Sequence, residues 1–583
     1  MSWMFSLIKK NSKFRYNEKA VSSIHPQARY LLNNSRLYLA AGGLKGTCSS
    51  NINNITKSSN IECFVAIGLG IIYSNNKFSF IERNDWENIL NNENTDLNYL
   101  NGHFVTMLIK NKTIVIRNDQ LGLRNLFYLE TDDFIGISTR LDWLTKIVNN
   151  SEINFESYSS FWNLINCLSY KSIIKGIKQL NPGGRITINE NNEIKVSFKY
   201  WHPNSAASIQ DYDTIDMLRD LTLFPMEHDK TINLALSGGI DSRTLLSFLL
   251  NKDKTKWATL TWGKKDLPDA VIAQKLAEYY KFKHKMIYEP FQKEEDCISN
   301  LYNYVSETYS ILPAYTCKEL GYYDSIDNKP IFVDGGSGAL FRRVVGNKML
   351  LKGKKFLIDR DIENSYSIMK EPKADIFNQY TNNLMHNLTL EDIDKMFYDM
   401  PQIKDFGKDN WIDLLSIRYY KTINGTITQS RMDNYLTNYM PFLQPSLLKM
   451  VFNVSEKHRR SEIMNKKILK EHNHLTKFPI VKYDTIIPFT LNLYAAYGMA
   501  KIKKIIKKYP ISNLDTQFLD KIPNFVQDRI RSKAVIDHSH YDLKKIKFMI
   551  DEYYGGNKEY SKQINWWLSY DVWREIISEK SVL

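Results

Sequence analysis

The hexapeptide SGGIDS, Ser237–Ser242, follows the apolar run TINLAL. Its residue types suit the gripping of phosphate. Gly238 and Gly239 let the backbone bend and come close to a ligand. A helix that starts here points its first N–H groups at an anion, and its dipole adds to the attraction. The hydroxyls of Ser237 and Ser242 can donate hydrogen bonds. Asp241 places an acid inside an anion site, which calls for a cation between the two charges. Magnesium, held by oxygen ligands, is the natural choice, with Asp241 as its protein ligand. A capped helix after a turn uses the same residue types. The strand-like run ahead of the loop and the helix-like run RTLLSFLLN behind it favour a nucleotide loop for ATP. It is not a Walker loop, because GxxxxGK[ST] is absent.

The elements around this loop alternate. TINLAL, KWATLTW, HKMIY and KPIFV read as strands, and RTLLSFLLN and DAVIAQKLAEYYKF as helices, the latter with Val271, Ile272, Leu276 and Tyr279 on one apolar side. Such alternation predicts a parallel sheet wrapped by helices, with ligands at the carboxyl ends of its strands. Before residue 200 the pattern is different: short β-like runs with turns, among them RITINENNEIKVSFKYW, where Asn-Glu-Asn-Asn signals a hairpin. This predicts an α+β unit of stacked antiparallel sheets. PNSAASIQDYD (203–213) reads as a linker, so the expected domains are 1–202 and 203–583, the latter mostly helical beyond 360.

Bulk composition agrees with two cores. A chain of 583 residues is too long for one ordinary domain, and 43% hydrophobic residues argue against disorder. No stretch reaches the roughly 20 apolar residues of a membrane helix, and the start, MSWMFSLIKKNSKFR, does not read as a signal peptide. Five cysteines without C-x-x-C spacing disfavour zinc or a disulfide framework and fit a reducing cytoplasm. The net charge of +14 reflects a lysine-rich composition or a surface for acidic partners. Basic stretches lie at 342–355, 457–470 and 501–508. In the last, Ile502, Ile505 and Ile506 fall at helical spacing, the pattern of an amphipathic helix with solvated lysines. No nucleic-acid motif accompanies them.

SGGxDS resembles the PP-loop of the ATP pyrophosphatases, which implies cleavage of ATP between its α and β phosphates. Further stretches are similar to the asparagine synthetase family: NGHFVTMLI (101–109), RNDQLGLRNLFY (117–128), FIGISTRLDWL (134–144), IIKGIKQLNPGGRITI (173–188), the segment after the loop with Asp269, Ala273, Ala277 and His284, YMPFLQPSLLKMVFNV (439–454) and INWWLSYDVWREI (564–576). The resemblance covers most of the chain. It implies an N-terminal Ntn-like sandwich and an α/β PP-loop synthetase domain (HUP-like, parallel sheet) with a helical C-terminal part. It also implies ATP and Mg2+ as cofactors. Leu236, Ser237, Gly238, Gly239, Asp241 and Ser242 would hold phosphates, Thr261 the adenine region, and Gly335 would belong to the same cofactor site. Lys482, within 464–488, takes the place of the family's pyrophosphate-facing lysine; a solvated lysine is the plain alternative.

Two departures shape the expected activity. Residue 2 is Ser where the family's glutaminases carry Cys, and the Asn-Gly-Glu type glutamine-holding stretch is missing. DGGSGALFRR (334–343) resembles the segment that supplies a catalytic acid and a magnesium-binding Asp, yet Gly335, Gly338 and Ala339 stand where acids would be. Asp334 is the nearest carboxylate and can compensate. The resemblance is thus closest in type to β-lactam synthetases and lasso-peptide cyclases, which adenylate a carboxylate and let an amine of the same molecule attack. That implies a carboxylate-bearing peptide or small molecule as substrate, and a precursor-peptide-processing protein as a further partner. The alternatives are an ammonia-using amidotransferase on a small carboxylate, and a non-catalytic binding subunit.

Overall fold

The computed structural model describes residues 2–11, 13–52, 62–92, 96–148, 151–164, 166–203, 211–341, 353–371, 373–459, 462–471, 473–491, 493–506, 513–578 and 581–582. Most of the expected linker, 204–210, and much of the basic stretch 342–355 lie outside them.

The first part of the chain is two stacked antiparallel sheets. One has the order β11 (Ile177–Gln179), β9 (Phe127–Glu130), β10 (Phe134–Ser138), β1 (Trp3–Lys9), β3 (Leu37–Gly42), β2 (Tyr30–Asn33). The other runs β13 (Ile194–Phe198), β12 (Gly184–Ile188), β8 (Thr113–Asn118), β7 (Asn101–Lys110), β5 (Cys63–Ser74), β4 (Cys48–Ser50), with β6 (Lys77–Phe80) on β5. Alternating residues of both inner faces form one core, including Met4, Ile8 and Leu39 against Val65, Ile67, Val105 and Met107. The expected hairpin is β12–β13, with Ile188 opposite Ile194.

The second sheet system is parallel: β16 (His284–Ile287), β15 (Trp257–Trp262), β14 (Ile232–Ala235), β17 (Ile331–Val333), β18 (Thr437–Tyr439). Central β14 buries Ile232 and Leu234 on one face, while Asn233 and Ala235 on the other are half-buried. Helices Asp211–Glu227, Ile240–Leu249 and Pro268–Tyr280 pack on the sheet, and helices such as Gln379–Asp399 and Ser561–Ile577 build the C-terminal part. A short antiparallel pair, β19 (Ile480–Lys482) and β20 (Thr485–Ile487), stands apart.

Two helix readings need correction. In Pro268–Tyr280 the buried face is Ile272, Ala273, Leu276 and Ala277. Tyr279 is 49% exposed, because it packs across the surface against His474, ring centroids 5.3 Å apart, rather than into the sheet. In Leu493–Ile506 the apolar positions Ile502 and Ile505 face solvent, at 57% and 83% exposure. The helix docks on β20 through its other side, where Ala496 and Ala500 are buried. All five cysteines are free and buried, and among the described residues no helix is long and apolar enough to cross a membrane.

Candidate active site

A cavity of about 560 Å³ opens at the carboxyl ends of β14, β15 and β17. Its walls include Leu236, Ser237, Gly239, Asp241, Ser242, Thr261, Asp334, Gly335 and Lys482. Nine of the ten residues singled out in the sequence therefore meet around one space; the tenth, Gly238, lies in the loop beneath it.

The loop is held by its own polar groups. Ser242 Oγ accepts the Ser237 N–H at 3.1 Å and lies 3.0 Å from Ser237 Oγ, which accepts the Gly239 N–H at 3.1 Å. These hydroxyls close the loop rather than reach outward, so Ser242, 5% exposed, positions more than it contacts. Gly239 caps the Ile240–Leu249 helix in extended conformation and Asp241 lies in its first turn. The Gly238 N–H donates to Asp269 Oδ1 at 2.7 Å. Burial raises the Asp269 carboxyl above its usual range, and that N–H pulls it back.

Lys482 reaches the loop because a hairpin carries it there. Tyr483 and Asp484 both have positive φ (53° and 55°), as a two-residue type I′ turn requires. The Val481 N–H donates to the Gly238 carbonyl at 2.9 Å, which pins the hairpin to the loop. Arg243, fully buried, donates to the carbonyls of Leu475, Phe478 and Pro479 at 2.7–3.2 Å and to Gly238 O at 3.3 Å, so it ties the approach to the hairpin to the loop as well. Burial lowers the Arg243 guanidinium to about 10. The Lys482 side chain is 14% exposed and its ammonium pairs with Glu462 Oε2 at 2.8 Å. It is thus an oriented, largely desolvated cation and not a solvated surface lysine. Thr261 Oγ1 donates to the Leu236 carbonyl, which joins β15 to the loop's entry. Beside it Trp262 stacks on Phe332, ring centroids 5.7 Å apart, and offers an aromatic surface to the cavity.

The glycines opposite the loop have a steric reason. A Cβ on Gly338 would sit 2.4 Å from Asp241 Cγ, and one on Gly335 would sit 3.1 Å from the Ser242 nitrogen. In this arrangement no acid fits at 338; Asp241 fills that space. Asp334 follows β17, its N–H held by the Tyr439 carbonyl at 2.9 Å and its Oδ1 accepting the Gly336 N–H at 2.9 Å. Asp241 and Asp334 thus both face the cavity. No group of three or more His, Cys, Asp or Glu side chains suited to a metal cage occurs among the described residues. Two carboxylates still suit magnesium, which keeps waters and takes substrate phosphates for its remaining contacts.

Sequence reasoning assigned no role to Asp269, Arg243, Glu462 or Trp262. Arg243 directly follows SGGIDS, and its position was the one available signal; the partners of Asp269 and Glu462 lie 31 and 20 residues away.

Ser2, by contrast, is sealed. It is fully buried, its Oγ bonds to Thr47 Oγ1, and its carbonyl accepts from Arg124. Arg124 pairs with Asp433 Oδ2 at 2.6 Å, while Asp433 Oδ1 meets His103 Nε2 at 3.1 Å. Gly102 N–H donates to Gln444 Oε1 at 2.8 Å. Side chains from after β17 therefore cover the Asn101–His103 end of β7.

The fold defines a parallel α/β domain whose glycine-serine loop opens a helix at the switch region of the sheet. Residues 217–317, which contain that loop, match the family model described as asparagine synthase. No curated protein matches the chain. Among solved structures, glutamine phosphoribosylpyrophosphate amidotransferase from B. subtilis, complexed with ADP and GMP, aligns at 10% identity over 59% of this chain and 78% of its own, with a TM-score of 0.21. A structure described as the allosteric regulatory enzyme of purine biosynthesis aligns at 9% identity over 61% and 72%, with a TM-score of 0.19. Likenesses of that size carry no further conclusion.

Proposed function

We propose that this chain is an ATP-dependent amide-bond-forming ligase that adenylates a substrate carboxylate, releases pyrophosphate and lets an amine displace AMP. The observation that carries the reading is the loop–hairpin assembly: SGGIDS at the end of β14, with Lys482 fixed above it through Val481 and Gly238. Bound ATP supplies the phosphoanhydride that turns a carboxylate into an acylating group. The chain's own residues do the holding. Backbone N–H groups of the loop and helix start face the phosphates. Asp241 and Asp334 hold Mg2+, Thr261 and its neighbours receive the adenine side, and Lys482 stabilises charge on the leaving pyrophosphate. In this reading the sheet is HUP-like, the sandwich is Ntn-like, and the units divide near 202/203.

The amine comes from the same molecule as the carboxylate, as in a lasso-type macrolactam cyclase acting on a peptide. The buried, fully bonded environment of Ser2 supports this, because it leaves no open serine hydroxyl for releasing ammonia from glutamine. An amine held beside the activated carboxyl gains effective concentration that an external donor lacks.

Pyrophosphate release from ATP and Mg2+ tests the reading, with the native chain and Asp241→Ala against amino acids and acidic peptides. Peptide-dependent release that the substitution abolishes is expected. Release with a small amino acid and ammonia alone would move the assignment to a small-carboxylate amidotransferase. No release and no ATP binding would leave a binding subunit.

A further inference from the structure

A second cavity, of about 410 Å³, lies where the sandwich meets the C-terminal helices, lined by residues of β9, β11 and β13 and by the Gln379–Asp399 helix. On that helix Asp392, Met396 and Asp399 fall four and three residues apart and share one face. Asp392 is 8% exposed, and its Oδ2 has no hydrogen-bond partner among the described residues. A buried carboxylate oxygen without a partner is costly, and a ligand donor is one way to satisfy it. Burial pushes the Asp392 carboxyl up to about 6, against a side-chain hydrogen bond from Ser160 and the charges of Lys171 and Lys395.

The walls are aromatic. Tyr170 lies 5.8 Å from both Tyr200 and Tyr419, centroid to centroid, and the Tyr419 hydroxyl donates to Asp399 Oδ2 at 3.4 Å. Ring faces attract cations. The rim has the opposite charge: Lys171, Lys178 and Lys395 line the cavity and are exposed, Lys171 pairing with Glu156 at 2.7 Å. Acid and rings inside with lysines outside match a ligand whose positive end enters first and whose negative group stays near the mouth. A plain carboxylate would meet Asp392 with like charge. A plain cation would gain nothing from the lysines.

We propose that this junction cavity binds a primary ammonium with a carboxylate a few bonds away, the ammonium at Asp392 and the carboxylate at the lysine rim. A free amino acid and the amino-terminal end of an acidic peptide share that chemistry. The site is separate from the nucleotide cavity, with no lining residue in common, and does not depend on the ligase reading.

Titration calorimetry on the full chain without ATP tests this. The probes are L-phenylalanine, phenethylamine, which lacks the carboxylate, and 3-phenylpropanoate, which lacks the ammonium. Phenylalanine is expected to bind at least tenfold more tightly than either. Asp392→Asn, which keeps shape and loses charge, should weaken it at least tenfold. Lys395→Glu, at an exposed position with little bearing on folding, should weaken it at least threefold. The tripeptide Phe-Glu-Gly and its N-acetyl form separate the sources: a tripeptide tighter than phenylalanine assigns the site to a peptide end, and a weaker one to a free amino acid. The N-acetyl form should not bind. The proposal is overturned if neither phenylalanine nor the tripeptide binds more tightly than about 10 mM, or if both variants bind as the native chain does.

Discussion

At the scale of single residues, the site depends on what is small as much as on what is charged. Gly338 lets Asp241 stand where it does, since an added Cβ would lie 2.4 Å from its carboxyl carbon. Gly338→Ala should force Asp241 off its position. We expect at least a tenfold loss of Mg2+-dependent ATP affinity in calorimetry, with a thermal midpoint close to the native one. Native affinity in that variant would mean Asp241 holds no metal. Lys482 and Glu462 make a second residue-level point. A lysine in a chain with 78 Lys and Arg is unremarkable in sequence, yet this one is oriented by a buried carboxylate at 2.8 Å.

At the scale of elements, the decisive unit is the β19–β20 hairpin. It is only three residues per strand, too short to be stable alone. It persists because Val481 bonds to the loop and Arg243 gathers the carbonyls ahead of it. A Cβ at Gly238 would meet Val481 Cγ2 at 2.2 Å. Gly238→Ala should therefore push the hairpin away and lower substrate-dependent pyrophosphate release at least tenfold. Adding Val481→Ala trims the clashing methyls and should restore a good part of it. A double variant no better than the single one would show that the glycine serves the backbone alone.

At the scale of the whole molecule, the sandwich and the C-terminal part share a buried ionic knot. Asp433, with no exposed surface, receives Arg124, His103 and Gln429, the first two from the sandwich. Removing it leaves the Arg124 charge buried without its partner, a loss of about 3–5 kcal/mol. Asp433→Ala should lower the first guanidinium unfolding midpoint clearly, and Asp433→Asn, which keeps acceptor and shape, should lower it less. Equal midpoints for Asp433→Ala and the native chain would show that the knot does not hold the two parts together.

Much of this was readable along the chain. The parallel sheet followed from alternating β and α periods, and the cavity's position from a Gly-Gly turn after an apolar strand. Nine of the ten chosen residues gather there because most of them sit in short segments at strand ends, where local sequence dictates both conformation and place. Lys482 was found by resemblance and not by its neighbours. What sequence could not show is pairing at a distance: Glu462 with Lys482, Asp269 with Gly238, Asp433 with Arg124. Burial of Arg243 and exposure of Ile502 and Ile505 likewise depend on which faces meet. Periodicity shows that a helix has an apolar face, but not whether any surface covers it. Only the folded chain decides that, since the free energy of burial belongs to both partners of a contact and not to either segment.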